Sequence, residues 1–311
     1  MNFTFLGTGA GMPAKERNVT SLALGFPEYD GDLWLFDCGE GTQRQILYTP
    51  VKLTKLTVIF ITHLHGDHLF GLPGILGSRS FHGAESTLQL VGPKGLKEYV
   101  ETSLRLSGTH LYYPIAINEI ETEGKVYENA HFVVTASELD HGIKSYGYRI
   151  TEKDQKGELL VDKLKEIGIP PGPIYKLIKE QDQVQLPDGT MLETAPFIGE
   201  KRKGRIVTIL GDTRPCSAAE LLARDADMLV HEATFRGDSE RLAHDYHHST
   251  SLQAAETARQ ALAKTLILAH LSSRYQKKEQ TALLNEAKAV FPHTYLAHDL
   301  WDYQLKLQPR S

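Results

Sequence analysis

The sequence predicts an α/β or α+β fold, a sheet protein with helical cover. Short apolar runs rich in β-branched and aromatic residues recur along the chain, and amphipathic helical stretches lie among them. Histidines and aspartates collect at or just beyond the ends of several of these runs, where open sheets gather their sites.

In chain order, Phe3–Leu6, Leu33–Phe36, Val58–Ile61, Leu88–Val91, Phe132–Thr135, Ile206–Leu210, Met228–Val230 and Leu266–Leu268 read as strands. Ser251–Leu262 reads as a helix, with Leu252, Ala255, Ala258 and Leu262 on one face. Thr250-Ser251-Leu252-Gln253 has the form of a capping box at its start. Glu279–Val290 reads as a second helix. The stretch from about 151 to 204 breaks the pattern. It has little periodicity and contains Gly168-Ile169-Pro170-Pro171-Gly172-Pro173, where three prolines forbid regular helix or sheet. It reads as an arm inserted into a single domain spanning 1–311.

Composition narrows the function classes. The 311 residues are 41 % hydrophobic and 23 % charged, which excludes a disordered or collagenous chain. The formal net charge of −5 argues against coating nucleic acid or membrane through global positive charge. Cys38 and Cys216 stand far apart with no Cys-x-x-Cys, so the expected compartment is a reducing cytoplasm. The first residues carry no basic and apolar leader pattern, and no apolar run reaches the roughly 18 residues that would span a bilayer. Histidine is abundant, at fourteen residues.

Four of the strongest candidate ligands fall within six residues. Val58-Ile59-Phe60-Ile61-Thr62 is followed directly by His63-Leu64-His65-Gly66-Asp67-His68. Imidazole and carboxylate together suit zinc and similar metals, and a strand end is a stiff mount for them. Gly66 is expected to let the chain turn sharply. One loop cannot complete the coordination of two metals. His141, Asp212 and His270 lie at or shortly beyond other strand ends and are the natural remaining ligands.

This pattern, His-x-His-x-Asp-His after an apolar strand with later His, Asp and His, resembles the metallo-β-lactamase superfamily. The resemblance implies an αβ/βα four-layer sandwich and two Zn²⁺ per subunit. His63, His65 and His141 would hold one ion, Asp67, His68 and His270 the other, and Asp212 would bridge them. Further segments resemble the ribonuclease Z branch in its short form. Pro13-Ala14-Lys15-Glu16-Arg17-Asn18 is similar to its Pro-x-Lys-x-Arg-Asn loop. His231-Glu232-Ala233-Thr234 and His248-Ser249-Thr250 are similar to its two catalytic loops. Gly168–Pro173 resembles the tip of its tRNA-gripping arm, and Ala297-His298-Asp299-Leu300 its Ala-x-Asp-x motif.

The resemblance implies an endoribonuclease that cuts precursor tRNA after the discriminator nucleotide, leaving a tRNA 3′-hydroxyl and a trailer 5′-phosphate. It implies a homodimer and assigns Asp67 the proton of the attacking water. The acid is expected to be a histidine near neutral pKa held by a carboxylate, which fits His248 with Glu232. Lys15, Arg17 and Arg274 are expected at the active-site rim as substrate contacts, with Gly172 and Pro173 at the arm tip. Asp37 is expected as support beneath the metals, and Cys38 as buried packing. The run Gly7-Thr8-Gly9-Ala10-Gly11 leads into Met12-Pro13 instead of a helix, so no nucleotide cofactor is expected. The arm holds nine Lys/Arg against ten Asp/Glu, so tRNA affinity would rest on local clusters such as Lys201–Lys203. Two other functions compete: hydrolysis of small esters or phosphodiesters on the same fold, and a silent RNA-binding scaffold.

Overall fold

Val58 and Phe60 pack into one hydrophobic cluster, Ile59 and Ile61 into another, and all four are fully buried. A strand buried on both faces needs a second sheet on one side and helices on the other. The computed structural model, which describes residues 1–307, provides both.

The first seven-stranded sheet runs in the order Trp301–Gln304, Asn2–Gly7, Ser21–Phe26, Asp32–Phe36, Leu56–Phe60, Leu88–Gly92, Ile115–Glu119. The second runs Thr294–Leu296, Leu266–Ala269, Met228–Glu232, Ile206–Ile209, Ser145–Glu152, Phe132–Leu139, Gly124–Glu128. In each sheet four neighbouring strands are parallel, and antiparallel strands complete it.

Side chains from both sheets meet in one aromatic-rich core that includes Phe5, Trp34, Phe36, Phe60, Phe132 and Tyr148. Phe36 stacks on Phe60 at 4.9 Å, and Phe60 meets Tyr148 of the other sheet at 5.2 Å. Each such pair contributes about 0.5–1.5 kcal/mol beyond area burial. Outside the first sheet lie the helices Leu72–Phe81 and Leu96–Ser107; outside the second lie Ser217–Ala223, Ser251–Gln260 and Lys277–Val290. The layers are therefore helix, sheet, sheet, helix, as expected.

All eight expected strands form, and Phe132–Leu139 extends past its expected end. Both expected helices form, and Thr250 and Gln253 make the reciprocal capping box. Strands such as Ser21–Phe26 and Ser145–Glu152 escaped the sequence pattern because small and polar residues interrupt them. At Gly147 a Cβ would meet Leu210 and Leu222 at 2.7 Å, so glycine there reflects close packing.

The inserted segment forms a separate unit, Glu152–Arg205. It is more ordered than its sequence suggests. Helices Val161–Glu166 and Ile174–Glu180 flank the proline-rich turn, and a hairpin pairs Gln183–Gln185 with Met191–Glu193. Leu164, Ile169, Ile178 and Val184 make a core of its own. Its two ends are joined by a buried forked pair: Arg205 Nε and Nη2 donate to Glu152 at 2.7 and 2.9 Å.

Candidate metal centre

The strand Leu56–Phe60 delivers His63 directly, and His65 caps the short helix Gly66–Leu69 that turns Asp67 and His68 back towards it. Gly66 stands at the start of that helix and has no positive φ, so the turn comes from helix initiation, not from glycine's left-handed freedom. Gly66 is instead crowded by the Phe70 ring, which a Cβ would meet at 2.2 Å, and Gly39 is crowded by backbone. A Cβ there would lie 2.2 Å from the Asp67 carbonyl oxygen, so only glycine lets the two segments pass.

His141 follows the strand Phe132–Leu139, Asp212 follows Ile206–Ile209, and His270 follows Leu266–Ala269. The seven side chains converge. His63 Nε2 and His141 Nε2 lie 3.1 and 3.3 Å from His65 Nδ1. His270 Nε2 lies 3.2 Å from His68 Nε2 and 3.3 Å from Asp67 Oδ2. Asp212 Oδ2 stands between the groups, 3.6 Å from His63, 3.4 Å from His68 and 3.3 Å from His270. The triads His63–His65–His141 and Asp67–His68–His270 each bring their ligand atoms within 4.8 Å of one another.

This donor set fits divalent metal. Lone pairs and carboxylates crowd one small volume, and a cation resolves that conflict. The opposite ring nitrogens are engaged on the outside, as metal-binding imidazoles require. His68 Nδ1 meets Asp37 at 2.7 Å, His141 Nδ1 donates to the His247 carbonyl at 2.8 Å, and His270 Nδ1 meets Thr234 Oγ1 at 2.9 Å. Asp37 also accepts from the Thr62 N–H and hydroxyl, so it supports the cluster as expected. Asp37, His247 and His270 all hold positive φ, a sparsely populated conformation kept here by the surrounding bonds.

Charge coupling is strong. Burial alone would raise the Asp212 carboxyl, but His270 and His68 hold it well below the usual range. Burial would lower His68, but Asp212 and Asp37 hold it well above its ordinary value. His63 is held low by burial, with the neighbouring His68 acting in the same direction.

Beside this cluster stands a second arrangement. Glu232 ends the strand Met228–Glu232, so it and His231 close a strand where a loop was expected. Its Oε1 meets His248 Nδ1 at 2.9 Å and accepts from the Thr213 N–H at 3.0 Å. Its Oε2 accepts from the Thr234 hydroxyl and N–H at 2.6 and 3.1 Å. Burial works to lower the His248 pKa, but the Glu232 charge and hydrogen bond, with Asp212, raise it to about 9. The neighbouring His247 accepts from His141 through its carbonyl, and its ring lies edge-on to the His141 ring at 6.4 Å.

Arg17 corrects one expectation. It is 7 % exposed, and its guanidinium donates inward to Thr8 Oγ1, the Ala297 carbonyl and Gln280 Oε1. It braces the loop and does not line the rim. Lys15 is exposed on the same loop. Arg274 is exposed and lies over the Phe235 ring at 5.0 Å, and that ring sits 6.1 Å from His248. Gly172 and Pro173 are exposed in the inserted unit, ahead of the helix Ile174–Glu180. Cys38 is fully buried.

Two participants were given no role in the site from the sequence. The Gly11 N–H donates to Asp67 Oδ2 at 2.7 Å, so the glycine turn orients a ligand. Asp299, in the Ala-x-Asp-x segment, accepts from Thr8, Asn18 and Gln45 and ties that turn to the body of the protein.

Two facing sheets under helical cover, with histidines and aspartates gathered at their strand ends, define a hydrolase of the metallo-β-lactamase fold. The Bacillus subtilis metallo-β-lactamase-fold protein YhfI superposes with a TM-score of 0.66 at 20 % identity, covering 97 % of this chain and 98 % of that one. A ribonuclease Z of Bacillus cereus (strain G9842) is 56 % identical over 306 residues, which are 98 % of this chain and 100 % of that protein. The chain belongs to the ribonuclease Z family. The human short-form tRNase Z structure matches with a TM-score of 0.72 at 29 % identity, covering 98 % of this chain and 100 % of that one. The family described as anti-Pycsar protein Apyc1 also matches, over residues 1–141.

Proposed function

We propose that this chain is the tRNA 3′-processing endoribonuclease of its cell, cutting precursor tRNA after the discriminator nucleotide with two zinc ions bound. One observation carries the reading: seven His and Asp side chains converge beside His248, which the Glu232 carboxylate holds. His63, His65 and His141 would hold one zinc, Asp67, His68 and His270 would hold the other, and Asp212 would serve as a ligand shared by the two groups. When bound, the zinc ions supply an activated water and neutralise charge on the phosphate. Asp67 takes a proton from the attacking water. As the bond from phosphorus to the tRNA O3′ breaks, His248 gives its Nε2 proton to that oxygen, and Glu232 stabilises the imidazolium. The products are a tRNA 3′-hydroxyl and a trailer 5′-phosphate. Lys15 and Arg274 contact substrate phosphates.

The unit at 152–205 grips tRNA through the Lys201–Lys203 cluster and the backbone around Gly172 and Pro173, contacts that position without reading sequence. The protein works as a cytoplasmic homodimer. Leu47, Tyr48, Phe70 and Phe81 are exposed apolar side chains of the kind a self-association face would cover. Among the described residues no helix is long and apolar enough to cross a membrane.

The test is cleavage of a precursor tRNA with a labelled 3′ trailer, with and without chelator, mapped to one nucleotide. A chelator-sensitive cut directly after the discriminator is expected; a cut elsewhere, or none, overturns the reading. Deleting residues 155–200 separates this from a small-ester hydrolase. tRNA cleavage should collapse while turnover of a small phosphodiester survives, whereas equal survival of both would favour the small-substrate enzyme.

A further inference from the structure

Arg214 lies two residues beyond Asp212, and the function described so far does not use it. Its guanidinium grips Asp140 in a fork, Nη2 to Oδ1 at 2.7 Å and Nε to Oδ2 at 3.1 Å. Its backbone N–H donates to the Asp140 carbonyl at 2.8 Å, and the Asp140 N–H donates to Thr213 Oγ1 at 3.2 Å. Asp140 directly precedes His141. The strip at 213–214 also reaches the acid. The Thr213 N–H donates to Glu232, and Ser249 Oγ donates to the Thr213 carbonyl at 2.6 Å. Arg214 Nη1 lies 3.3 Å from His244 Nε2, in the helix Glu240–Asp245 that leads into His247 and His248.

We infer that Arg214 is a positioning residue whose fork on Asp140 locks the His141 loop to the strip that also holds Glu232 and His248. His63 stands at the end of a buried strand, but His141 sits in a run of bends at 140–143. A loop of that kind needs bonds to something stiff if its imidazole is to stay within ligand distance. Side-chain exposures of 23 % and 43 % mean that charge attraction alone contributes little. A fork backed by backbone bonds at both residues instead fixes direction, which is what a ligand loop needs. Lysine could keep the charge but not the fork. The inference rests on the assignment of His141 as a ligand and His248 as the acid.

The test compares Arg214→Ala, Asp140→Ala, the double variant and Arg214→Lys with wild type. One readout needs no substrate: zinc remaining per chain against a competing chelator, by native mass spectrometry. The other is kcat and KM on precursor tRNA. Each alanine variant should hold one zinc equivalent about 10–100-fold more weakly and lose kcat by a similar factor, with KM unchanged. The double variant should be no worse than either single one, because both remove the same interaction. Arg214→Lys should recover only part of the zinc retention. Wild-type retention and kcat in Arg214→Ala would overturn the inference. So would a rise in KM alone, which would make Arg214 a substrate contact, or additive losses in the double variant. Failure of wild type to cleave tRNA would sink the functional reading while the zinc readout still judged the fork.

Discussion

The candidate ligand cluster and the proposed acid pair stand side by side but are built on opposite principles. In the cluster, imidazole nitrogens and carboxylates face one another across 3.1–3.6 Å, so the arrangement is complete only with a cation among them. The proposed acid pair needs no cation to hold its geometry, although Thr234 Oγ1 also links Glu232 to His270. His248 meets Glu232 at 2.9 Å, and every further contact of Glu232 comes from a backbone N–H or a hydroxyl. Damage to the first should therefore remove metal and activity together, and damage to the second should remove activity alone.

The largest effect is expected from Asp67→Ala, which deletes a proposed ligand and the proposed acceptor of the water proton. No cleavage should be detectable, and zinc content by mass spectrometry should fall; an active variant with two zincs would break the comparison at its root. His248→Ala comes next. Cleavage should drop about 10²–10⁴-fold, the range for a lost general acid, with zinc content at wild type. Loss of zinc there would make His248 a ligand. Asp37→Asn weakens the bond that orients His68. Metal affinity or activity should fall about 10–100-fold, measured by chelator competition.

Glu232→Gln gives the smallest and most diagnostic change. Its charge raises the His248 pKa, so the acid is protonated at neutral pH and is lost as pH rises through that pKa. Removing the charge lowers the pKa, and the alkaline limb of the rate profile should move to lower pH. An unmoved limb would detach Glu232 from the acid.

Much of this site was legible in the sequence, for a physical reason. A metal needs several donors at one point, and the block His63–His68 concentrates them after a strand. Sheet geometry then brings the strand ends bearing His141, Asp212 and His270 together, so placement alone nominated them. What stayed hidden lies in backbone groups and in side-chain direction. The Gly11 N–H on Asp67 has no residue signature, and the inward turn of Arg17 looks in sequence like any rim arginine. The positive φ of Asp37, His247 and His270 is equally silent. The helices of the inserted unit escaped because each is one to two turns long and buries a single side chain, Leu164 or Ile178. Helices that short are held by packing on neighbours, not by propensity, so their sequence need show little.

The division between cluster and acid can be tested at the leaving oxygen itself. A precursor tRNA whose scissile O3′ is replaced by sulfur carries a leaving group that needs no proton. His248→Ala should cleave this substrate at close to the wild-type rate, while Asp67→Ala stays inactive on it. If His248→Ala is as slow with sulfur as with oxygen, His248 is not the acid, and the account that assigns metal binding to the cluster and proton donation to His248 fails.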